Sequence, residues 1–397
     1  MGIEDARMIG ARLRQIRNAR DKSLRVVAGL AGMSKSRLSQ IERGEVALDS
    51  RSETIALADA LQVAPSELIR TQEEPPGSRN RDSAVEVVHR ALTAVELGHL
   101  NGGRVLSVNV LRDRIAYVQQ ARRRGRFAAV SIRLPALVSD VHASIAAGRD
   151  VGELLPLATL LHVDTVAHWL HDAGAPELRL QAAGLARDAA REHGDRVTLA
   201  VAAWGTTVAL LTGRMLDLAQ AELDAVTLPA TTSATAGVMC GLSMTQALVA
   251  AVDKRSGEVD APMDTASELA QRFGAGDDRL GYVVGPAEVG VRRMMLALEA
   301  GEPDRAVNIG QGVHPHEISI VARKAGYWME YGQALARMRG RHDDAVRALR
   351  TAELLFPERV RRNPFVRDAL ATLLARSRRD AVGRELRAMA YRAGLPV

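Results

Sequence analysis

Apolar residues recur with helical spacing along the first 70 residues, and interruptions in that pattern divide the region into short helices. Ser23 and Ser34 precede the second and third segments, where a hydroxyl side chain caps free backbone N–H groups. Gly32 separates these two segments, Gly44 ends the third, and Pro65 stands in the first turn of a last one. The positions predicted to face a shared core are Ile9, Leu13, Ile16, Val27, Leu30, Ala31, Leu38, Ile41, Ile55, Ala58 and Leu61.

The pattern changes at residues 71–81, TQEEPPGSRNR, which contain Pro-Pro-Gly and no large apolar residue. This composition is typical of a linker. From residue 82 to residue 397 nearly every segment has the spacing of an amphipathic helix. The sequence therefore predicts an all-α chain with a five-helix domain at 1–70, a linker at 71–81 and a helical domain at 82–397.

The second domain repeats one phrase, a glycine turn followed by a helix with small residues on one side. The phrase begins at Gly174, Gly213, Gly257, Gly301 and Gly340, at spacings of 39, 44, 44 and 39 residues. Another helical segment precedes each phrase. Because a helical hairpin of this length cannot bury its apolar side alone, the units are expected to stack into an α-solenoid of tetratricopeptide-like hairpins. A helical bundle with accidental glycine spacing is the alternative.

Composition narrows the class of protein. The chain has 397 residues, of which 47% are hydrophobic and only 3% aromatic, so small aliphatic side chains build its cores and helices are favoured over sheets. A single cysteine excludes a disulfide framework and a multi-thiolate zinc site. The first residues lack the layout of a signal peptide, and no apolar run approaches the ~18 residues of a membrane span. We expect a cytoplasmic protein without a cofactor.

Two short helices joined across Gly32 inside a small helical core have the geometry that lets one helix enter the major groove of DNA. The residues of this region also resemble the XRE (Cro/repressor-type) helix-turn-helix domain, over about residues 7–70. The positions that stand at the family spacing are Val27, Ala28, Gly32, Ser34, Leu38, Ser39 and the run Ile41 to Gly44, followed by the segments LADAL and PSEL. The resemblance implies a dimeric, sequence-specific DNA-binding domain.

The third helix carries the polar face that such a domain turns toward DNA. Lys35, near the helix N-terminus, suits the acceptors of guanine, and Gln40 suits adenine. Arg37 lies beside the apolar face and is better placed for a phosphate. The residues predicted to contact double-stranded DNA are Ser23, Arg25, Ser34, Lys35, Ser36, Arg37, Ser39, Gln40 and Arg43. A polar face that is merely solvated is the alternative, but the turn, caps and core spacing together favour DNA.

Two further positions follow from the resemblance. Arg17 and Glu42 match a family pair that forms a salt bridge between the first and third helices, which implies a role in orienting the recognition helix. Leu24 departs from the family, which often has a glutamine there that touches a phosphate. Leucine cannot make that contact, so free backbone N–H groups with Ser23 or Arg25 would have to replace it.

Other candidate chemistry is weak. His162, His168 and His171 lie in the run HVDTVAHWLH, and the last two share a helix face as zinc ligands do. No glutamate completes a metalloprotease pattern, so surface or packed histidines are expected and no metal site is predicted. Cys240 lies among apolar residues and is expected to be a buried structural thiol. With no Walker loop, nucleophile elbow or dinucleotide fingerprint, the chain is not expected to be an enzyme.

The helical body leaves two functions open. Its C-terminal part resembles, more loosely, the tetratricopeptide-like bodies of actinobacterial XRE regulators, over roughly residues 110–395. This resemblance implies a transcriptional regulator, a homodimer reading an inverted repeat, whose body senses a peptide or small-molecule effector. A scaffold or adaptor that recruits a protein partner is the alternative, with DNA binding secondary. The polar residues predicted to bind an effector are Arg292, Arg293, Arg323, Tyr327 and Glu330.

Overall fold

The computed structural model of this chain describes residues 3–20, 22–46, 48, 51–63, 68, 78–100, 102–274, 284–375 and 380–395. Every regular element among these residues is a helix, which confirms the predicted all-α class. The fold divides into two compact units. One comprises residues 1–78, 294–311 and 325–397, and the other comprises residues 79–293 and 312–324. The N-terminal and C-terminal helices therefore belong to one unit.

The first unit begins with α1 (Ile3–Ala19), α2 (Leu24–Leu30), α3 (Lys35–Glu42) and α4 (Arg51–Leu61). Helix α3 packs against α1 and α2, and α2 also packs against α4. The predicted fifth helix lies outside the described residues apart from Leu68, which is fully buried. Residues 71–77 of the predicted linker also lie outside them, and residues 78–81 begin the next helix.

The core of these helices follows most of the predicted apolar pattern. The predicted positions that are fully buried are Leu13, Val27, Leu38, Ile41, Ala58 and Leu61, and Leu57, which the pattern did not include, is fully buried as well. Ile16 and Ile55 are half-buried. Leu30 was predicted to face inward, but it is 62% exposed. Successive helical residues are separated by about 100°, and the buried face of α2 is centred between Val27, Ala28 and Ala31. Leu30 lies roughly 100° away from that centre and so faces solvent.

The remaining helices follow in chain order. They are α5 (Ser78–Glu96), α6 (Val108–Arg123), α7 (Phe127–Ala146), α8 (Val151–Leu160), α9 (Ala167–Ala173), α10 (Arg179–His193), α11 (Arg196–Thr212), α12 (Leu216–Asp224), α13 (Ser233–Val252), α14 (Asp260–Phe273), α15 (Pro286–Glu299), α16 (Pro303–Gln311), α17 (Val321–Arg337), α18 (His342–Leu355), α19 (Pro357–Arg362), α20 (Pro364–Leu374) and α21 (Ala381–Arg392). A π-helical turn, Leu161–Val166, joins α8 to α9.

The repeated glycine phrases lie at turns between helices, as predicted. A helix begins shortly after each of the five glycines, and neighbouring helices pack together, α11 on α12 and α13 on α14. Three glycines have left-handed backbone, with φ of 83° at Gly174, 78° at Gly301 and 76° at Gly340. At Gly213 and Gly257 the neighbouring Arg214 and Lys254 take that conformation instead, both with φ of 61°. The turn, and not the glycine alone, is therefore what recurs.

Helix α13 is the most apolar long helix of the described chain. By length and composition it could cross a membrane, which the sequence analysis did not expect of any stretch, but 72% of its most apolar window is buried inside the fold. Its inward face packs on α11, where Trp204 donates from Nε1 to Thr245 Oγ1 at 2.8 Å. Cys240 of the same helix is 1% exposed, and its thiol donates to the Ala266 carbonyl oxygen at 3.3 Å. The predicted buried thiol is thus confirmed, within a core helix.

A buried carboxylate joins the C-terminal helices. Glu353 of α18 is 2% exposed and accepts hydrogen bonds from Arg350, Arg361 and Arg392, at 2.7–2.8 Å. Glu385 of α21 shares Arg350 and Arg392. Burial opposes ionisation of Glu353, but the hydrogen bonds from Arg392 and Arg361 outweigh it and hold the pKa of Glu353 at about 2. The carboxylate stays charged and ties α18, α19 and α21 together.

Candidate nucleic-acid interface

Two sets of contacts within the protein fix the orientation of helix α3. Ser34 caps its N-terminus by accepting from the Arg37 backbone N–H at 3.1 Å. Leu38 and Ile41 anchor its apolar side in the core with no exposed surface. These contacts set the rotation of the helix, so the remaining side chains face outward in a defined orientation.

The pair predicted between α1 and α3 is present. Arg17 donates from Nε to Glu42 Oε1 at 2.6 Å and from Nη2 to Glu42 Oε2 at 2.9 Å. The two side chains are 11% and 5% exposed. Arg17 also donates to the Lys22 carbonyl at 3.0 Å, so one guanidinium holds both α3 and the loop before α2. The hydrogen bond to Glu42 raises the pKa of Arg17 against the effect of burial.

Two glycines set how closely α1 approaches α3. A Cβ atom at Gly10 would lie 2.3 Å from the Ile41 carbonyl oxygen. Gly44, just after α3, has φ of 69°, and a Cβ there would lie 2.6 Å from the backbone of Arg7. Only glycine allows both contacts, because the obstructing atoms are mostly backbone. Gly44 is predictable from its place at a helix end, whereas no pattern in the sequence marks Gly10, which lies inside a helix.

The turn between α2 and α3 also follows the predicted chemistry. Ser23 caps α2 by accepting from the Val26 backbone N–H at 3.3 Å. Gly32 has φ of 64°, and the following Met33 N–H donates to the Ala28 carbonyl at 3.0 Å. The two caps and the left-handed glycine together make the tight corner that presents α3.

Four of the predicted DNA contacts present unengaged polar side chains. Lys35, Ser36 and Arg25 are exposed and Gln40 is half-buried. None of the four has a side-chain hydrogen-bond partner among the described residues. Ser36 and Gln40 lie on the face of α3 opposite Leu38, and Lys35 is exposed in the first turn of the helix. Their hydrogen-bonding capacity is therefore free for an external partner.

Three other predicted contacts are engaged within the protein. Arg37 pairs with Glu53 of α4 through two hydrogen bonds of 3.1 and 3.2 Å. Arg43 donates to Ser39 Oγ at 2.7 Å and to both carboxylate oxygens of Glu45 at 2.7 and 2.9 Å. Glu53 is not predictable as the partner of Arg37, because a loop separates it from α3 and only the tertiary fold brings the two residues together.

The predicted effector residues of the second unit are held in ion pairs or half-buried. Arg293 donates to Asp264 Oδ1 at 2.8 Å. Arg323 lies 3.9 Å, Nη1 to Oε1, from Glu288, which is 9% exposed. Burial lowers the pKa of Arg323, and Glu288 partly counteracts it. Arg292 is half-buried.

The other two predicted effector residues belong to the first unit. Tyr327 is 4% exposed and donates from its hydroxyl to the Gly310 carbonyl at 3.1 Å. Burial, with Tyr331 adding to the effect, raises the pKa of Tyr327 to about 12. Glu330 is half-buried. Since neither unit contains all five residues, their grouping as one effector site stays a prediction.

The histidine run of the second unit is structural. His162 is fully buried in the π-helical turn, and its Nε2 lies 2.8 Å from Nε2 of His142. Burial lowers the pKa of His142 to about 4 and that of His162 well below its usual value, so both rings are neutral. His168 is bonded through Nδ1 to the Val163 carbonyl at 3.1 Å. The part of the chain that the structure describes contains no group of three side chains suited to a metal ion.

Comparison with known proteins identifies the N-terminal region that contains α1 to α4. Residues 9–70 match the family model described as a helix-turn-helix domain. The chain carries a helix-turn-helix domain at its N-terminus. No curated protein matches the chain. Among solved structures, the apo form of ComR from S. thermophilus matches with 14% identity and a TM-score of 0.27, over 80% of this chain and 98% of that one. A likeness at that TM-score carries no argument about this protein.

Proposed function

We propose that this protein is a sequence-specific DNA-binding transcriptional regulator of the XRE type, acting in the cytoplasm. The observation that carries the proposal is the recognition helix α3 of the helix-turn-helix domain. Arg17 and Glu42 fix this helix in place, and it presents Lys35, Ser36 and Gln40, whose side chains have no hydrogen-bond partner among the described residues. A buried, bidentate ion pair behind a polar face is a sound arrangement for recognition, because a reading surface must be held rigidly.

In this proposal two of the unengaged side chains, Lys35 and Gln40, read the bases. Lys35 donates to the O6 and N7 acceptors of guanine, and the Gln40 amide makes the paired contact that adenine accepts. Arg25 and Ser36 contact phosphates. Arg37 leaves its ion pair with Glu53 and contacts a phosphate. Arg43 and Ser39 move together, since they are hydrogen-bonded to each other.

A dimer reading an inverted repeat completes the proposal. One recognition helix makes few base contacts, whereas two helices about 34–36 Å apart read two half-sites on one side of the duplex. The body, proposed as a tetratricopeptide-like solenoid, would set the spacing of the two domains and respond to an effector that favours one arrangement. Binding stoichiometry on an inverted repeat tests the dimer: two chains per site are expected, and one chain at full affinity contradicts it.

The deciding experiment selects fragments of genomic DNA on the full chain and measures affinity for the enriched site. Lys35→Ala and Gln40→Ala should each weaken binding to that site by roughly 5- to 150-fold, equivalent to about 1–3 kcal/mol, and relax the base preference at one position. Binding to random DNA should change far less. Arg14→Ala is the matched control, since Arg14 is exposed on α1 and outside the predicted interface. Failure to enrich any site, or equal losses on both DNAs, contradicts the proposal.

A further inference from the structure

A cavity of about 380 Å³ opens between α6 and α7 of the second unit, far in sequence from the recognition helix. Its wall combines basic and apolar side chains. The residues that matter here are Arg104, Arg114, Tyr117, Ile132, Arg133 and Asp140. The volume falls within the ~300–1,000 Å³ range of small-molecule sites.

One buried carboxylate organises two of the arginines. Asp140 is 2% exposed and accepts from the backbone N–H and Nη2 of Arg104, both at 2.9 Å, and from Nη1 of Arg114 at 2.8 Å. The arginine side chains remain 64% and 40% exposed. A buried acceptor thus fixes two guanidinium groups whose other N–H donors stay open to solvent, which is a preorganised arrangement.

The side chains that line the cavity carry a net positive charge. Three arginines meet one aspartate, which leaves two positive charges. Arg133 lies over the ring of Tyr117, 4.8 Å from its centroid, and donates to the Ala129 carbonyl at 3.3 Å, but no carboxylate among the described residues pairs with it. Arginine forks of this kind suit planar or tetrahedral oxyanions, which accept two parallel hydrogen bonds.

Apolar surface lies beside the charges. Ile132 is 76% exposed and Tyr117 is 45% exposed, while Val118 and Leu137 behind them are buried. A ligand that covered the Ile132 side chain completely would gain about 1.5–3 kcal/mol from its burial. The cavity thus offers an oxyanion position next to an apolar one.

We propose that this cavity binds a small amphipathic anion, an oxyanion head, carboxylate or phosphate, joined to an apolar group. The head would be held by Arg104, Arg114 and Arg133, and the apolar group would lie against Ile132 and Tyr117. As an effector site it rests on the proposed function; as a binding site it does not. Nucleic acid fits less well, because its backbone has no apolar group to cover Ile132.

Calorimetric titration of the full chain tests the site with four probes: octanoate, octyl phosphate, 1-octanol and inorganic phosphate. Octanoate and octyl phosphate should bind saturably, and the tighter of the two identifies the preferred head. Octanol and inorganic phosphate should each bind at least tenfold more weakly, because each lacks one half of the ligand. Octanol binding as tightly as octanoate, or no saturable binding of either amphiphile at millimolar concentration, overturns the proposal.

Two variants on α6 distinguish specific binding of the anion in the cavity from non-specific electrostatic attraction. Arg114→Gln should weaken octanoate binding about tenfold or more. The fold should survive, since Asp140 keeps three donors from Arg104. Arg112→Gln is the control: Arg112 is also on α6 but pairs with Glu153 at 2.7 Å outside the cavity. It should change affinity less than about twofold. Equal losses in both variants, with unchanged circular dichroism, overturn the site.

The apolar half and the effector role have their own readouts. Ile132→Ser should weaken octanoate binding but leave the weak binding of inorganic phosphate unchanged. If the variant binds both octanoate and phosphate as tightly as the native chain does, the amphipathic assignment is overturned. A bound amphiphile that alters the affinity of the chain for its DNA site supports the effector role, and one that binds without altering it overturns that role only. A chain that binds no DNA site fails the proposed function, while the calorimetric result stands.

Discussion

Arg17 joins two parts of the helix-turn-helix domain. Its guanidinium holds Glu42 on α3 and the Lys22 carbonyl before α2. Arg17→Ala leaves the buried Glu42 carboxylate without its cation, which costs on the order of 3–5 kcal/mol. We expect the calorimetric transition of this domain to move to lower temperature. Arg14→Ala, an exposed arginine on the same helix, should leave it in place; similar melting of both variants contradicts a special role for the pair.

Substitutions of Arg37 and of Glu53 should change the affinity for DNA in opposite directions. If Arg37 leaves Glu53 to contact a phosphate, Arg37→Ala should weaken binding to all sequences evenly and reduce the salt slope by about one. Glu53→Gln should release Arg37 and strengthen binding to random DNA. Filter binding across a salt series measures both. A tighter complex with Arg37→Ala, or a weaker one with Glu53→Gln, would show that the pair acts only within the fold.

Individual residues of the domain were predictable wherever local spacing decides. The caps at Ser23 and Ser34 follow from sequence alone, since capping involves residues three apart. Leu30 was assigned to the wrong face because α2 has only seven residues, too few for the apolar pattern to fix its rotation. The partner of Arg37 and the contact of Gly10 with α3 depend on packing between helices. Local residue spacing does not determine that packing.

At the scale of elements, the crossing of α1 and α3 depends on the missing side chain of Gly10. Gly10→Ala would place a Cβ 2.3 Å from the Ile41 carbonyl, so the helices must separate and the domain should lose stability by about 1–3 kcal/mol. Gly29→Ala is the matched control in α2, where a Cβ meets nothing within 4 Å. It should be neutral or stabilise by up to about 1 kcal/mol. Urea unfolding of both variants checks the sign.

The hairpins of the body were predictable as elements, because each is announced by a turn at a regular spacing. The π-helical turn at Leu161–Val166 was not. Nothing in HVDTVAHWLH departs from an ordinary helical pattern, so neither the π-helical turn nor the contact of His162 with His142 follows from the local sequence. For the same reason the arginines around Asp140 escaped prediction: the residues are spread over two helices and a loop, and only their packing brings them together.

At the scale of the whole molecule, the two units should weaken in different pH ranges. Glu353, in the first unit, has a pKa lowered from 4.5 to about 2, so its contribution is complete above pH 4.5 and is lost as the pH falls toward 2. A shift of that size corresponds to about 3 kcal/mol. His142 and His162, in the second unit, have lowered pKa values, so protonation of the unfolded chain weakens that unit as soon as the pH falls below 6.5.

Unfolding by urea as a function of pH tests the carboxylate. The free-energy difference between the native chain and Glu353→Gln should be about 3 kcal/mol at neutral pH and should vanish near pH 2. Glu302→Gln is the control, since Glu302 forms an exposed pair with Arg305 and should cost at most about 1 kcal/mol. A difference that does not depend on pH would mean that Glu353 acts by packing and not by charge.

The single cysteine of the chain makes local opening of the second unit measurable. Cys240 is enclosed between α13 and α14, and burial, with Glu288 adding to the effect, raises the pKa of its thiol to about 12. The reactive thiolate is therefore almost absent while the hairpin is closed, so a disulfide reagent can label the native chain only when α13 and α14 separate. The labelling rate, divided by that of an unfolded cysteine, gives the opening free energy of this one hairpin without any mutation. We expect Cys240 to be labelled slowly, at a rate that rises in dilute urea and falls if a bound ligand stabilises the second unit. Labelling as fast as that of an unfolded chain would mean that α13 and α14 do not stay packed together.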